Sequence, residues 1–403
     1  MDVSPITARP EGRTGLARVA LSLSRAVAAR HDVQLRTCAW GSLVASDDFE
    51  SVRQQFPELR GVAVRRGAWT RLCTDRTRAA RSGGRWARTF WHRAGQVTNR
   101  LRNPLAGVDL QGFDVVHSTY AGFPRGVRRC GLPAVITLHD VMPLRLPPGD
   151  LPPGQVAITR RILANIRPSD WVACVSEWTR DDFLALQPHP RDHIVVIPNA
   201  VDHDVFRPVT DAAQLDELRG RYGLTDRPFL LTLSSLAAHK NLRFLINAWR
   251  RCGAANRGAV LVVAGGRTSD PVELAGMLGL DAAVPGLTVT GHVTDADVRG
   301  LASACQAFVF PSRYEGFGLP VLEAMACGSP VVASSATAIP EVVGTAGTLL
   351  PPDDEDAWTE ALGTAACRPL RAAPCRAPIE RAARFSWAQA AEGYAELYRR
   401  ACN

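Results

Sequence analysis

Between Ala307 and Val332 the chain reads Ala307-Phe-Val-Phe-Pro-Ser312-Arg-Tyr-Glu315-Gly-Phe-Gly-Leu-Pro-Val-Leu-Glu323-Ala-Met-Ala-Cys-Gly328-Ser-Pro-Val-Val332. The apolar run Ala307 to Phe310 predicts a buried strand, Pro311 ends it, and Gly316 and Gly318 permit a tight turn with exposed amides. Pro320 suits a first helical turn and Gly328 a helix stop. Free N–H groups and the positive end of a helix dipole make residues 316 to 319 a natural seat for a phosphate. Glu315 falls in the loop and Glu323 on the early helix. Carboxylates repel phosphate but accept hydrogen bonds from hydroxyls, so the ligand this corner fits carries both groups, as a nucleotide sugar does.

The two glutamates and the seven residues between them resemble the donor-site signature of family 4 of the retaining, GT-B-fold glycosyltransferases. The resemblance extends through Gly291-His-Val-Thr-Asp-Ala-Asp, Phe310-Pro-Ser and Ile339-Pro-Glu-Val-Val-Gly-Thr-Ala-Gly, an ordered set over roughly 290 to 350. It implies an α/β chain with two Rossmann-like, doubly wound parallel-sheet domains facing each other across a cleft. The alternation of apolar strand-like runs with helical patterns independently predicts parallel sheets covered by helices. These runs are Val115-Val116, Ala134 to Leu138, Trp171 to Val175, Ile194 to Ile197, Phe229 to Leu233, Val260 to Ala264, Leu287 to Val289, Ala307 to Phe310 and Val331-Val332. We place an N-terminal, acceptor-binding domain at 1–205, a donor-binding domain at 206–385, and a final helix at 386–403 that crosses back to the first domain. Hinge motion is expected near 200 to 206 and 385.

Of 47 basic residues, 46 are arginine; the one lysine is Lys240, in Phe229-Leu-Leu-Thr-Leu-Ser-Ser235-Leu-Ala-Ala-His239-Lys240-Asn. Lysine is a compact point charge that arginine's planar fork does not reproduce. The resemblance implies that it contacts the donor diphosphate, with His239 as a second basic residue of the loop. His139, in Pro133-Ala-Val-Ile-Thr-Leu-His139-Asp140, stands at the carboxyl end of a buried strand, where cleft residues of open α/β sheets belong. His117, after Asp114-Val-Val, is similarly placed, and Ser176, Glu177, Asn199 and Asp202 read as interdomain loop residues. The resemblance implies His139, Lys240 and Glu315 as catalytic. It implies donor contacts from Gly15, Ser235, His239, Lys240, Val293, Glu315, Gly316, Phe317, Gly318, Leu319 and Glu323. Gly15 belongs to Gly12-Arg-Thr-Gly15-Leu-Ala-Arg18, a glycine-rich turn before a helix in which Ala17 replaces a more usual glycine.

The implied reaction transfers a glycosyl unit, mannose being one candidate, from a nucleoside diphosphate sugar to an acceptor hydroxyl with retention, in polysaccharide or glycolipid synthesis. It needs no cofactor beyond the donor, and no Asp-x-Asp pair suggests a metal. An epimerase of the same fold is the competing enzyme class, distinguished by needing a side-chain base at the sugar's C2.

Ten scattered cysteines without metal-ligand spacing, and no signal peptide, lead us to expect reduced thiols and a cytoplasmic protein. Residues 60 to 104 hold twelve arginines against one acid, Asp75, with Trp69, Trp86, Phe90 and Trp91 among them. Such a segment can dock on anionic lipid headgroups, bind nucleic acid, or form a solvated face. Because family 4 acceptors bind the N-terminal domain, a lipid-linked glycan acceptor or the inner membrane face is favoured over nucleic acid. A non-catalytic protein working through this segment is the third reading.

Overall fold

The structure, a computed structural model, describes residues 1, 15–37, 112–120, 122–123, 127–266, 268–280, 284–370 and 373–403. The arginine-rich segment 60–104 and residues 12–14 of the glycine-rich turn lie outside the described residues. Two all-parallel sheets organise the rest. The first has the order β1 (Val116–Ser118), β2 (Ala134–Leu138), β3 (Trp171–Cys174), β4 (Ile194–Val196). The second contains β5 (Phe229–Leu233), β6 (Val260–Ala264), β7 (Leu287–Val289), β8 (Ala307–Phe310), β9 (Val331–Ser334) and β10 (Thr348–Leu350), in the order β10-β9-β8-β5-β6-β7.

The strands read as continuous apolar runs because helices cover both faces of each sheet. Within the second sheet, successive residues go to opposite cores. Phe229, Leu231, Val260, Val262, Phe308 and Phe310 enter one; Leu230, Leu261, Val263, Ala307 and Val309 enter the other. The first sheet divides in the same way. Ile136, Leu138, Val172 and Cys174 pack with Leu163 and Phe183 on one face, and Val135 and Ala173 pack with Leu23, Val27, Tyr394 and Leu397 on the other. That second face is covered by helix Gly15–Ala28 and the last helix, Trp387–Cys402.

The chain returns to the first sheet beside its outgoing crossing, with Val201 and Ser386 bridged in parallel. The returning helix is anchored by polar bonds as well as burial. The Tyr394 hydroxyl pairs with Thr137 Oγ1 at 2.7 Å, and His117 bonds Tyr398 Oη at 2.7 Å and Thr137 Oγ1 at 2.8 Å. His117 is therefore a core residue rather than a cleft residue, and burial holds its imidazole well below the usual range. Strand β10 has no counterpart among the sequence expectations. It is a three-residue edge strand with one exposed and two half-buried positions, too short and too polar in setting for an apolar run to mark it.

Candidate active site

Loops leaving the carboxyl ends of the two sheets meet. Phe310 ends β8, and the chain turns through Ser312 to Gly318 into helix Leu319–Ala326, with Gly318 as its left-handed N-cap at φ +110° and Pro320 in the first turn. The amides of Gly316, Phe317, Gly318 and Leu319 have no hydrogen-bond acceptor among the described residues. They constitute the open donor set expected of a helix start. The carbonyl of Gly316 faces the other way. It accepts from Ser176 Oγ at 2.8 Å and Thr179 Oγ1 at 3.1 Å, both on the loop and helix after β3. A side chain at 316 would overlap the carbonyl oxygen of His139, so only glycine allows this approach.

Glu315 is fixed from three directions. Lys240 Nζ lies 2.6 Å from its Oε1, Ser312 Oγ donates to the same oxygen at 2.7 Å, and its backbone N–H donates to Thr337 Oγ1 at 2.9 Å. Lys240 ends the short 3-10 turn Ala238–Lys240 after β5, and its ammonium stands 5.3 Å above the Phe310 ring. The carbonyl of His239 accepts from Arg313 N at 2.8 Å and Ser312 Oγ at 3.0 Å, which locks the lysine turn to the glutamate loop. The His239 ring is half-buried, and burial together with the Lys240 charge lowers its pKa.

Glu323, one turn into helix Leu319–Ala326, is buried and ion-paired with Arg18 of helix Gly15–Ala28, which also holds Asp295 at 2.6 Å. Burial pushes the Glu323 carboxyl up to about 7 against the pull of Arg18. A Cβ on Gly15 would lie 3.8 Å from Leu319 Cδ1, so the two helix starts are in near contact. Phe317 is buried edge-on against Phe385 at the returning crossing. Val293 is half-buried against the core, and Ser235 lies exposed beyond β5. The structure thus joins Lys240 to Glu315, His139 to Gly316 and Gly15 to Leu319, while Ser235 and Val293 stand apart from the ion-paired group.

His139 follows β2. Its Nε2–H donates to the Thr119 carbonyl at 2.7 Å, which leaves Nδ1 as the acceptor of a neutral ring. Burial depresses its pKa from 6.5 to about 4. The unfolded ring takes a proton below about 6.5 and the folded ring only near 4, so this group's contribution to stability is complete above 6.5 and declines as pH falls from there towards 4. A histidine NMR titration is expected to find His139 neutral at pH 5.5; a charged ring at that pH would contradict the burial seen here. Asp140 beside it is pushed up to about 6 by burial, against the bond it accepts from Met142 N–H.

Three further contacts across the cleft were not anticipated. They are Arg18 with Glu323, the Tyr314 hydroxyl with Asp182, and Glu341, whose carboxylate accepts the Glu177 and Trp178 amides at 2.8 and 2.7 Å. For Arg18 a signal existed, since it sits one turn beyond Gly15 on the same helical face.

Two parallel α/β sheets apposed at their carboxyl ends constitute a GT-B fold, and solved structures agree. Anabaena HepE in complex with UDP-glucose superposes with a TM-score of 0.62 at 17% identity, covering 96% of each chain. Residues 13–205 match the sequence model of Glycosyltransferase Family 4, and residues 227–366 match that of Glycosyl transferases group 1. The D-inositol 3-phosphate glycosyltransferase of Xylanimonas cellulosilytica is 30% identical over 305 residues, 72% of either chain. The O-antigen chain mannosyltransferase B of Escherichia coli is 33% identical over 226 residues, 56% of this chain; this chain spans 58% of that relative's length. The chain belongs to the family 4 glycosyltransferases.

Proposed function

We propose that the protein is a retaining, metal-independent glycosyltransferase that moves a hexose, with mannose the first candidate, from a nucleoside diphosphate sugar to a hydroxyl of a glycan or lipid-linked glycan. The observation that carries this reading is the corner itself. Unpaired amides at 316 to 319, Lys240 on Glu315 and a neutral His139 converge where the two sheets meet. The relatives support mannose and glycan synthesis, because one is a mannosyltransferase of an O-antigen chain.

In this reading residues 1–205 hold the acceptor, 206–385 hold the donor, and 386–403 tie the halves together. The diphosphate lies on the amides of Gly316 to Leu319, with Gly15 approaching from the opposite half. Lys240 leaves Glu315 for the phosphate, with His239 beside it, and Ser235 and Val293 border the donor. Glu315 then accepts donor-sugar hydroxyls, and Glu323 accepts the ribose hydroxyls. His139 Nδ1 accepts a hydroxyl near the anomeric carbon and orients the sugar.

As the anomeric C–O bond breaks, charge collects on the departing phosphate, where preorganised donors are worth several kcal/mol. The acceptor oxygen bonds to the anomeric carbon on the same face, and its proton passes to the departing phosphate oxygen. Lys240 and the amides supply the positive charge that a metal ion provides in other sites. Among the described residues no helix is long and apolar enough to cross a membrane. We place the protein in the cytoplasm, at the inner membrane face when its acceptor is lipid-linked.

A panel of UDP-, GDP- and ADP-sugars, assayed in EDTA with NMR of the product anomer, tests the proposal. Expected are nucleoside diphosphate release from one donor class and a product with the donor's anomeric configuration. An inverted product, activity that vanishes in EDTA, or no turnover of any donor would overturn it.

A further inference from the structure

Arg18 has no assigned role, yet it makes the most direct ionic contact between the two halves of the cleft. Its guanidinium projects from helix Gly15–Ala28, pairs with Glu323 and Asp295 of the opposite half, and lies 5.3 Å from the centre of the Phe206 ring. Lys240 stands in a parallel situation on Glu315. Each glutamate of the signature is thus held by one cation, and among the described residues Arg18 and Lys240 are the two cations paired to that signature.

A donor changes the demand on both pairs. Its hydroxyls suit the carboxylates, whereas its phosphates need positive charge. Glu323 lies one turn inside the helix whose first amides are unpaired, and Gly15 packs against Leu319 at that helix start. A guanidinium already at Glu323 therefore needs only to turn within the same helix mouth to reach a group seated on those amides. Its planar fork suits two phosphate oxygens, and an exchange of partners avoids leaving either charge buried alone.

We propose that Arg18 is a diphosphate ligand supplied from the N-terminal half, held by Glu323 and Asp295 until the donor's ribose and phosphates displace it. The inference rests on the nucleoside diphosphate donor proposed above. It makes donor binding itself the event that exchanges one cross-cleft bond for another.

Calorimetry on the full chain separates the possibilities, using UDP, GDP and ADP and their monophosphates as probes. Arg18→Gln is expected to weaken the preferred diphosphate by roughly tenfold or more while leaving its monophosphate within about twofold. Arg18→Lys should recover part of the loss. Asp295→Asn, which loosens the resting contact without touching Arg18, should tighten the diphosphate and serves as the second variant if Arg18→Gln does not fold. Equal loss for both nucleotides would mean that Arg18 acts only through Glu323 on the ribose and would overturn the proposal. So would unchanged affinity for both, or weaker diphosphate binding by Asp295→Asn. A wild-type protein that binds no nucleoside diphosphate would remove the donor reading, and this proposal with it.

Discussion

Replacing Lys240 with alanine is expected to lower glycosyl transfer by roughly 10²–10³-fold, the usual cost of removing one preorganised donor from a developing anion. Two effects are combined in that variant, because Lys240 also neutralises Glu315, whose side chain is only 13% exposed. Loss of the ammonium leaves a largely buried carboxylate with Ser312 Oγ as its remaining side-chain donor, so the thermal midpoint should fall as well. Adding Glu315→Gln to Lys240→Ala removes the orphaned charge. The double variant should regain stability and stay slow. If it regained turnover too, Lys240 would be a structural counter-ion and its phosphate role would be refuted. Lys240→Arg should be a poor substitute, because a planar fork cannot occupy the position of a point charge 5.3 Å above the Phe310 ring.

The donor corner was legible in the sequence because its parts are local. Strand, turn, glutamates and helix follow one another within residues 307 to 332, and each step has a residue type that dictates it: Pro311, Gly318, Pro320, Gly328. Lys240 was legible for a different reason. In a chain whose other cations are all arginine, a lysine stands out. Strands β2, β5, β6, β7 and β8 could be placed to the residue because burial on both faces writes them as unbroken apolar runs.

What escaped depends on tertiary apposition. Arg18 is one arginine among 46, and only the approach of Gly15 to Leu319 shows that its side chain meets Glu323. His117 and His139 both follow apolar strand residues, and no local signal separates them. The returning helix does so, by covering His117 with Tyr394 and Tyr398. The need for glycine at 316 was read as turn flexibility. Its backbone is not in the left-handed region, and the constraint comes instead from the carbonyl of His139, 177 residues earlier.

That constraint makes Gly316→Ala the most informative small change in the molecule. An alanine methyl would overlap the His139 carbonyl oxygen and stand 2.9 Å from Asp140 Cβ, and both obstacles belong to backbone or to atoms fixed by it. The loops cannot separate while the Gly316 carbonyl holds Ser176 and Thr179 and the Tyr314 hydroxyl holds Asp182. Relief therefore requires the two halves to move apart at this seam. Each sheet keeps its own core, with β8 and β9 packed among second-sheet residues and β2 and β3 among first-sheet residues, so secondary structure should survive. A displacement near 1 Å at a reacting centre costs on the order of 10²-fold in rate. We expect an unchanged far-ultraviolet circular dichroism spectrum, a larger radius of gyration by small-angle X-ray scattering, and turnover reduced by about that factor. Nucleoside diphosphate affinity should change less than turnover, because the amides, Lys240 and Glu323 all lie on the second half. Full activity in this variant would mean that the close seam is not the arrangement in which transfer occurs.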